Sequence, residues 1–306
     1  EQLILSMKNL NFFFTIFFFI FVSIHGENKN VISDDLGREF SSEETPQRLV
    51  SLAPSNTELL GALGLQSNLV GRTRYCNFPE EIKSVEVVAG FNTLDLEKIA
   101  ALNPDVVFAI RGNDIESLKG LDRLGIPVFS LEIKDLDELL DAIQRLGIFL
   151  NVESRADSLI SEFEDRIENV SQKIVDQIER PKVMWGLGDN TFYTAGNNTI
   201  IDDVIDLAGG TNVARDAVGS WPQVSIETVL MWSPEIIITT QVEGGQQGLS
   251  DEIERLSRTP VWERIPAIVD ENVIYVEPDL LLRPGPRLLE ALELIADFII
   301  AYQTNR

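Results

Sequence analysis

Cysteine and histidine are almost absent from this 306-residue chain, which has one cysteine, Cys76, and one histidine, His25. A single cysteine excludes an intramolecular disulfide and any zinc or iron–sulfur site built on several cysteines. His25 lies in a segment that we expect to be removed, so the mature chain has no histidine for a catalytic triad or a histidine-rich metal site. We therefore predict no metal centre and no resident cofactor.

Basic residues are also scarce, with 25 Lys and Arg against 49 Asp and Glu, and the formal net charge is −24. Binding to nucleic acid requires a surplus of Lys and Arg to neutralise phosphates, so nucleic acid is excluded as a partner. The same imbalance disfavours a polybasic patch for anionic membrane surfaces. The sequence also has no P-loop and no Gly-x-Ser-x-Gly elbow, which disfavours the common nucleotide-dependent and hydrolytic enzymes.

The N-terminal segment carries one strongly apolar run, residues 10–24, which is dominated by Phe and Ile and follows Lys8. A membrane-spanning helix needs about 20 apolar residues, so this shorter run favours a secretory signal peptide over a retained anchor. We predict a signal peptide over residues 1–26, no lipid-anchoring cysteine beside its end, and a periplasmic location. Residues 27–47 are polar and acidic and predict a disordered leader.

From residue 48 onwards, short apolar runs alternate with segments of helical periodicity, as in VVFAI at 106–110 and VFSL at 128–131. This alternation predicts an α/β fold with mostly parallel sheets covered by helices. Residues 55–58 (Ser-Asn-Thr-Glu) supply candidate caps for the first helix. We predict an N-terminal α/β lobe over 48–151 and a C-terminal α/β lobe over 181–306.

A different pattern separates these lobes, because residues 152–180 carry apolar positions in steps of three and four and contain neither Gly nor Pro. Such spacing is typical of one amphipathic helix, and Pro181 ends it. We predict a long connector helix over 152–180 between two Rossmann-like lobes.

The two halves of the chain resemble each other. LEKIAALNPDVVFAI at 96–110 aligns without a gap to IETVLMWSPEIIITT at 226–240, which matches Glu97 with Glu227. A weaker match links 59–72 to 204–215. Two matches in the same order predict a duplicated lobe with pseudo-two-fold symmetry, and the cleft between such lobes is the expected ligand site.

Four segments carry a resemblance to a known family: RLVSLAPSNTELLGALG, DLEKIAALNPDVV, SWPQVSIETVL and DLLLRPGPRL. Together they resemble the periplasmic binding proteins for iron–siderophore complexes and cobalamin that serve ABC importers, over residues 48–298. The resemblance implies the class III periplasmic-binding fold, with two α/β lobes joined by one long rigid helix. It also implies a monomeric binding protein without catalytic residues, which delivers its ligand to a permease dimer with its ATPase.

The resemblance also implies roles for particular residues. The ligand-binding candidates are Tyr75 in RTRYCNFP, Phe91, Trp221 in SWPQVS, and Asp279 and Arg283 of the last loop. Arg111 joins them because it follows a strand, where α/β sheets place ligand contacts. Two exposed glutamates, Glu97 and Glu227, would dock onto arginines of the permease. Phe91 stands where the family's cobalamin binders have Trp, and this chain cannot form the disulfide known in that family.

These residue types suit a wide apolar ring with a polar rim. Aromatic faces stack on such a ring, and Arg and Asp side chains form hydrogen bonds with its edge. We expect cobalamin or a related corrinoid as the transported ligand. Haem, with Tyr75 as an iron ligand, and a ferric siderophore are the alternatives within the family. A chelatase-like enzyme on the same two-lobed scaffold is the distant alternative.

Overall fold

The computed structural model describes residues 31–41, 45–90, 93–175, 179–188 and 191–306. The predicted signal peptide and Phe91 lie outside the described residues. Within these ranges, no helix combines the length and the apolar character needed to cross a membrane.

A two-stranded antiparallel hairpin precedes the first lobe and consists of β1 (Val31–Ser33) and β2 (Glu39–Ser41). The ring of Phe40 packs against the lobe, with ring centroids 4.9 Å from Phe129 and 5.4 Å from Phe149. Contacts between tilted or edge-on rings are the favoured geometry for aromatic side chains. The hairpin is therefore anchored by an aromatic cluster.

The turn of this hairpin is held by Asp34, whose carboxylate is buried. It accepts hydrogen bonds from Arg38 Nε at 2.8 Å and from the Ser130 backbone amide at 3.0 Å. The prediction of a disordered leader over 27–47 is therefore wrong for the described hairpin at 31–41. The polar composition of this segment gave no sign of its aromatic anchor, or of the hydrogen bond that Asp34 accepts from Ser130, 96 positions away in the sequence.

We expect Phe40→Ala to lower the free energy of unfolding by about 1–2 kcal/mol, because a half-buried phenyl ring contributes part of the burial energy of a core side chain. Urea unfolding of the variant and the parent protein measures this difference. Equal stability would show that the hairpin does not contribute to the fold.

The N-terminal lobe is built on a five-stranded sheet with the order β5-β4-β3-β6-β7, in which all neighbours are parallel. Its strands are β3 (Leu49–Ser51), β4 (Leu69–Thr73), β5 (Glu86–Ala89), β6 (Val106–Ile110) and β7 (Val128–Leu131). Its helices are α1 (Pro54–Ala62), α2 (Leu96–Ala101), α3 (Ile115–Arg123) and α4 (Leu136–Phe149). The apolar runs that predicted strands at 106–110 and 128–131 are β6 and β7, which are buried on both faces as parallel strands require.

One helix, α5 (Glu153–Ile174), joins the lobes, and at 22 residues it is about 33 Å long. It buries Ala156, Phe163 and Val170, which are spaced by seven residues on one face. Arg166 fixes it to the last helix of the chain through two hydrogen bonds of 2.7 and 2.8 Å to Glu293. The predicted connector ran to residue 180, whereas the helix ends at Ile174 and residues 176–178 lie outside the described ranges.

The C-terminal lobe contains a four-stranded parallel sheet with the order β10-β8-β12-β13, and a separate antiparallel pair, β9 with β11. Its strands are β8 (Lys182–Trp185), β9 (Thr191–Tyr193), β10 (Thr211–Asn212), β11 (Gln223–Ser225), β12 (Ile236–Thr239) and β13 (Val273–Tyr275). Its helices are α6 (Ile200–Leu207), α7 (Ile226–Trp232), α8 (Leu249–Ser257), α9 (Pro266–Val269), α10 (Pro278–Leu281) and α11 (Leu288–Thr304).

The two main sheets repeat one arrangement, since β4-β3-β6-β7 and β10-β8-β12-β13 share the same order of strands along the chain. The aligned segments 96–110 and 226–240 form α2–β6 and α7–β12, and the weaker match at 59–72 and 204–215 falls on α1–β4 and α6–β10. The predicted fold class, two Rossmann-like lobes with parallel sheets joined by one long helix, is confirmed.

Candidate functional site: the cleft between the lobes

The loops at the carboxyl ends of the strands meet in a cleft between the lobes, where open α/β sheets bind their ligands. A cavity of about 550 Å³ lies there and is lined by residues of both lobes. The first lobe contributes Pro54, Arg111 and Lys134, and the second contributes Trp221 and Arg283. The cleft that the duplicated halves predicted as the ligand site is therefore present, and it is the candidate site.

A second cavity of about 370 Å³ adjoins the first and is lined by residues of the N-terminal lobe. The two cavities share lining residues, among them Pro54 and Ile110. Tyr75 lines the second cavity, and its side chain is 47% exposed. Tyr75 therefore lies exposed beside the main cavity.

Trp221 forms the aromatic wall of the second lobe, with half of its surface exposed. Its ring stands edge-on to Trp185, with centroids 5.8 Å apart and an interplanar angle of 73°. Trp185, the last residue of β8, is buried and holds the side of Trp221. Trp185 was not among the site residues predicted from the sequence.

A charged group lies on the first-lobe wall, where Glu132 accepts a hydrogen bond from Arg111 and lies 3.2 Å from Lys134 Nζ. The Arg111 guanidinium holds the pKa of the Glu132 carboxyl below its usual range, so this acid is ionised at neutral pH. Lys134 Nζ also lies 4.0 Å from Glu138 Oε1, so two carboxylates together offset the charges of Arg111 and Lys134.

The last loop crosses to the first lobe and pairs with Glu58, a side chain only 1% exposed. Arg287 donates two hydrogen bonds to the Glu58 carboxylate, from Nη2 at 2.6 Å and from Nε at 2.9 Å. Arg283 Nη1 donates a third to Glu58 at 3.1 Å. The hydrogen bonds to Glu58 raise the pKa of Arg287. Two guanidinium groups and one buried carboxylate thus connect the lobes beside the cavity.

Asp279 and Arg283 also bind each other and the loop that carries Tyr75. Arg283 Nη2 lies 2.5 Å from Asp279 Oδ1, and Asn77 donates to Asp279 at 3.0 Å and accepts from Arg283 at 2.7 Å. Both residues line the cavity, but their polar atoms are largely engaged in this network. Asn77, Glu58 and Arg287 were missed because their partners lie more than 200 positions away in the sequence.

Glu97 and Glu227 lie outside the cleft, each exposed in the first turn of its helix, α2 or α7. Both helices reverse through a short turn into a strand of the parallel sheet, so both begin at the carboxyl edge that faces the cleft. A hydrogen bond from Ser225 lowers the pKa of Glu227. The two carboxylates therefore occupy matching positions on the two lobes, on the cleft side.

The chain belongs to the periplasmic binding protein family, whose model matches residues 49–280. A relative from Bacillus subtilis, described as an uncharacterized ABC transporter substrate-binding lipoprotein, YvrC, is 29% identical over 88% of this chain and 84% of its own length. The structure of the periplasmic vitamin B12 binding protein BtuF of Vibrio cholerae superposes with a TM-score of 0.73 at 28% identity, covering 84% of this chain and 98% of that protein. The periplasmic heme-binding protein RhuT from Roseiflexus sp. RS-1, in its apo form, gives 0.71 at 25% identity, over 83% and 98%.

Proposed function

We propose that this protein is an extracytoplasmic substrate-binding protein that captures cobalamin or a related corrinoid in the cleft and delivers it to an ABC permease with its ATPase. The similar proteins are binding proteins rather than enzymes, and the cleft offers a place to hold a ligand. The observation that carries the choice of ligand is the pairing of cations with carboxylates around the cavity.

A ligand with carboxylates at its edge needs cations that are not already neutralised. In the part of the chain that the structure describes, the cations that line the main cavity are Arg111, Lys134 and Arg283, and each contacts a carboxylate. The net charge of −24 adds a repulsive field for anions. A ring edged with neutral amides, which both donate and accept hydrogen bonds, suits this rim better.

The aromatic side chains supply the apolar part of recognition. Trp221 lines the cavity with half of its surface exposed, while Trp185 contacts its edge. Stacking on a flat macrocycle contributes about 0.5–1.5 kcal/mol beyond area burial. Because Trp185 holds the Trp221 ring in position before the ligand binds, the ring loses little conformational freedom on binding, which favours affinity.

Haem is the second candidate, because the phenol of Tyr75 is exposed beside the cavity and can reach an iron atom. One of the similar structures is described as a heme-binding protein. Two propionates would meet the neutralised cations described above, so we rank haem below a corrinoid. A ferric siderophore, which is commonly anionic, meets the same difficulty.

Delivery would use the two exposed glutamates. Glu97 and Glu227 sit at equivalent positions of a duplicated lobe, so a two-fold permease dimer would be able to offer one arginine pocket to each. Charge-assisted pairs of this kind orient a complex and speed encounter more than they add affinity.

Replacing Trp221 with Ala should weaken cyanocobalamin binding by about 1–3 kcal/mol, roughly 5- to 150-fold in Kd, as for an aromatic anchor of an interface. Fluorescence titration of the purified protein measures the affinity, and quenching should be smaller in the variant. The matched control is Trp221→Phe, which keeps a stacking ring and should stay within about fivefold of the parent protein. Unchanged affinity in Trp221→Ala would remove this residue from the ligand site.

A further inference from the structure

The N-terminal hairpin contacts the wall of the cleft through Asp35, at the end of β7. The Asp35 amide donates to Ser130 O at 3.1 Å, and its Oδ2 accepts from the Glu132 amide at 2.6 Å. Its other oxygen, Oδ1, lies 2.9 Å from Arg145 Nη2. Asp35 thus fixes the backbone of the first residue after the strand, where the chain enters the cavity lining.

That residue, Glu132, stands between the two cations of the same wall. Its side chain is 23% exposed, whereas that of Arg111 is 74% exposed. The Lys134 amide is held in turn by Glu138 Oε2 at 2.7 Å. Hydrogen bonds on both sides therefore hold the backbone that carries the carboxylate, while the cations extend into the cavity.

Arg111 and Lys134 supply hydrogen-bond donors beside Glu132, whose carboxylate is an acceptor. A carboxamide can accept from Arg111 or Lys134 with its oxygen and donate its NH₂ group to Glu132. A carboxylate at the same place would meet the charge of Glu132, and such a repulsive element is how a site rejects a competing ligand.

We propose that Arg111, Glu132 and Lys134 form a carboxamide-binding subsite on the first-lobe wall, and that Asp35 is a positioning residue that holds Glu132 in place. This inference rests on the proposed function, since it names the part of the ligand that this wall recognises. It also gives the hairpin a role in ligand selection, in addition to stability.

The chain provides a matched control for Asp35. Arg145 is bound by Asp35 and also by Asp141, whose Oδ2 lies 2.6 Å from Arg145 Nε. Asp35→Ala and Asp141→Ala each remove one ion pair from Arg145. Only the first also releases the Glu132 amide, so the difference between the variants isolates that contact.

The two probes are cyanocobalamin and its monocarboxylates, in which one peripheral amide has been hydrolysed to an acid. We expect Asp35→Ala to weaken cyanocobalamin binding roughly five- to tenfold, the range of one or two hydrogen bonds. For the monocarboxylate whose acid group faces the first-lobe wall, the same variant should lose less than about twofold in affinity. Asp141→Ala should change neither affinity by more than about twofold. Equal losses for both ligands, or no loss, would overturn the positioning role.

Glu132→Gln tests the subsite without disturbing the hairpin, because it keeps the size of the side chain and removes its charge. We expect this variant to bind the monocarboxylates more tightly relative to cyanocobalamin, by about fivefold or more. An unchanged ratio would overturn the carboxamide assignment.

Amide hydrogen exchange in the free protein tests the contact between Asp35 and Glu132 independently of the proposed function. Exchange at Glu132 should be faster in Asp35→Ala than in Asp141→Ala, and equal exchange would overturn the positioning contact whatever the ligand is. A parent protein that binds neither probe would overturn the proposed function, and the subsite with it, while the exchange result still decides the contact.

Discussion

Reversing two charges, Glu97→Lys together with Glu227→Lys, should abolish transport of the ligand in vesicles reconstituted with the cognate permease. Both side chains are exposed in the first turns of matching helices, so the change places two positive charges against the arginines expected on the permease. Like charges at an interface cost several kcal/mol and suppress association. Each single reversal should lose part of the transport rate.

Ligand affinity and thermal stability of this double variant should stay close to those of the parent protein, because neither glutamate lines the cavity. The matched control is Asp157→Lys with Glu164→Lys on the exposed face of α5, which changes the net charge by the same amount. Normal transport by the first pair, loss of ligand binding, or an equal loss in the control would contradict the docking role.

Glu58→Ala should lower the free energy of unfolding by about 3–5 kcal/mol, the range for breaking a buried ion pair by removing one partner. Glu58 is almost completely buried and is shared by Arg283 and Arg287, which would both remain in place without it. Urea unfolding followed by circular dichroism measures the loss.

The matched control removes a carboxylate from an exposed pair. Glu86 lies 3.2 Å from Lys98 Nζ, and both side chains are more than half exposed. Glu86→Ala should therefore cost less than about 1 kcal/mol. If the two variants lost the same stability, the contact between the lobes would contribute no more than a surface pair.

The fold could be predicted because its determinants are local. Strand and helix periodicity, and the match between residues 96–110 and 226–240, lie within short stretches of the chain, and both halves of the structure follow them. The hairpin at 31–41 could not be predicted in this way. Its attachment to the lobe comes from contacts of Phe40 with Phe129 and Phe149 and from the hydrogen bond between Asp34 and Ser130, all in distant elements.

That the predicted residues bind the ligand stays a prediction, but their placement can be compared with the structure. Tyr75, Arg111, Trp221, Asp279 and Arg283 are brought together around the cleft. The polar run at 55–58 was interpreted as a helix cap, yet the cap of α1 is Ala53 without a side-chain bond, and Glu58 instead meets the last loop. A buried carboxylate of this kind is recognised only when its distant arginines are known.

The roles of Arg283 and Asp279 illustrate the same limit. The resemblance implied that both bind the rim of the ligand, and they do line the cavity. Their close contacts with each other, with Glu58 and with Asn77 add a second role, which is to connect the lobes. Ligand contact with either residue would therefore depend on how the two lobes are positioned relative to each other.

Isothermal titration of the purified protein with cyanocobalamin, and in parallel with haemin, tests the central claim most directly. We predict one-to-one binding of cyanocobalamin with quenching of tryptophan fluorescence, and weaker binding of haemin. The assignment of a corrinoid to the cleft would be contradicted if haemin gave a heat of binding and the absorption spectrum of a tyrosine-ligated iron, while cyanocobalamin gave neither a heat of binding nor a change in fluorescence.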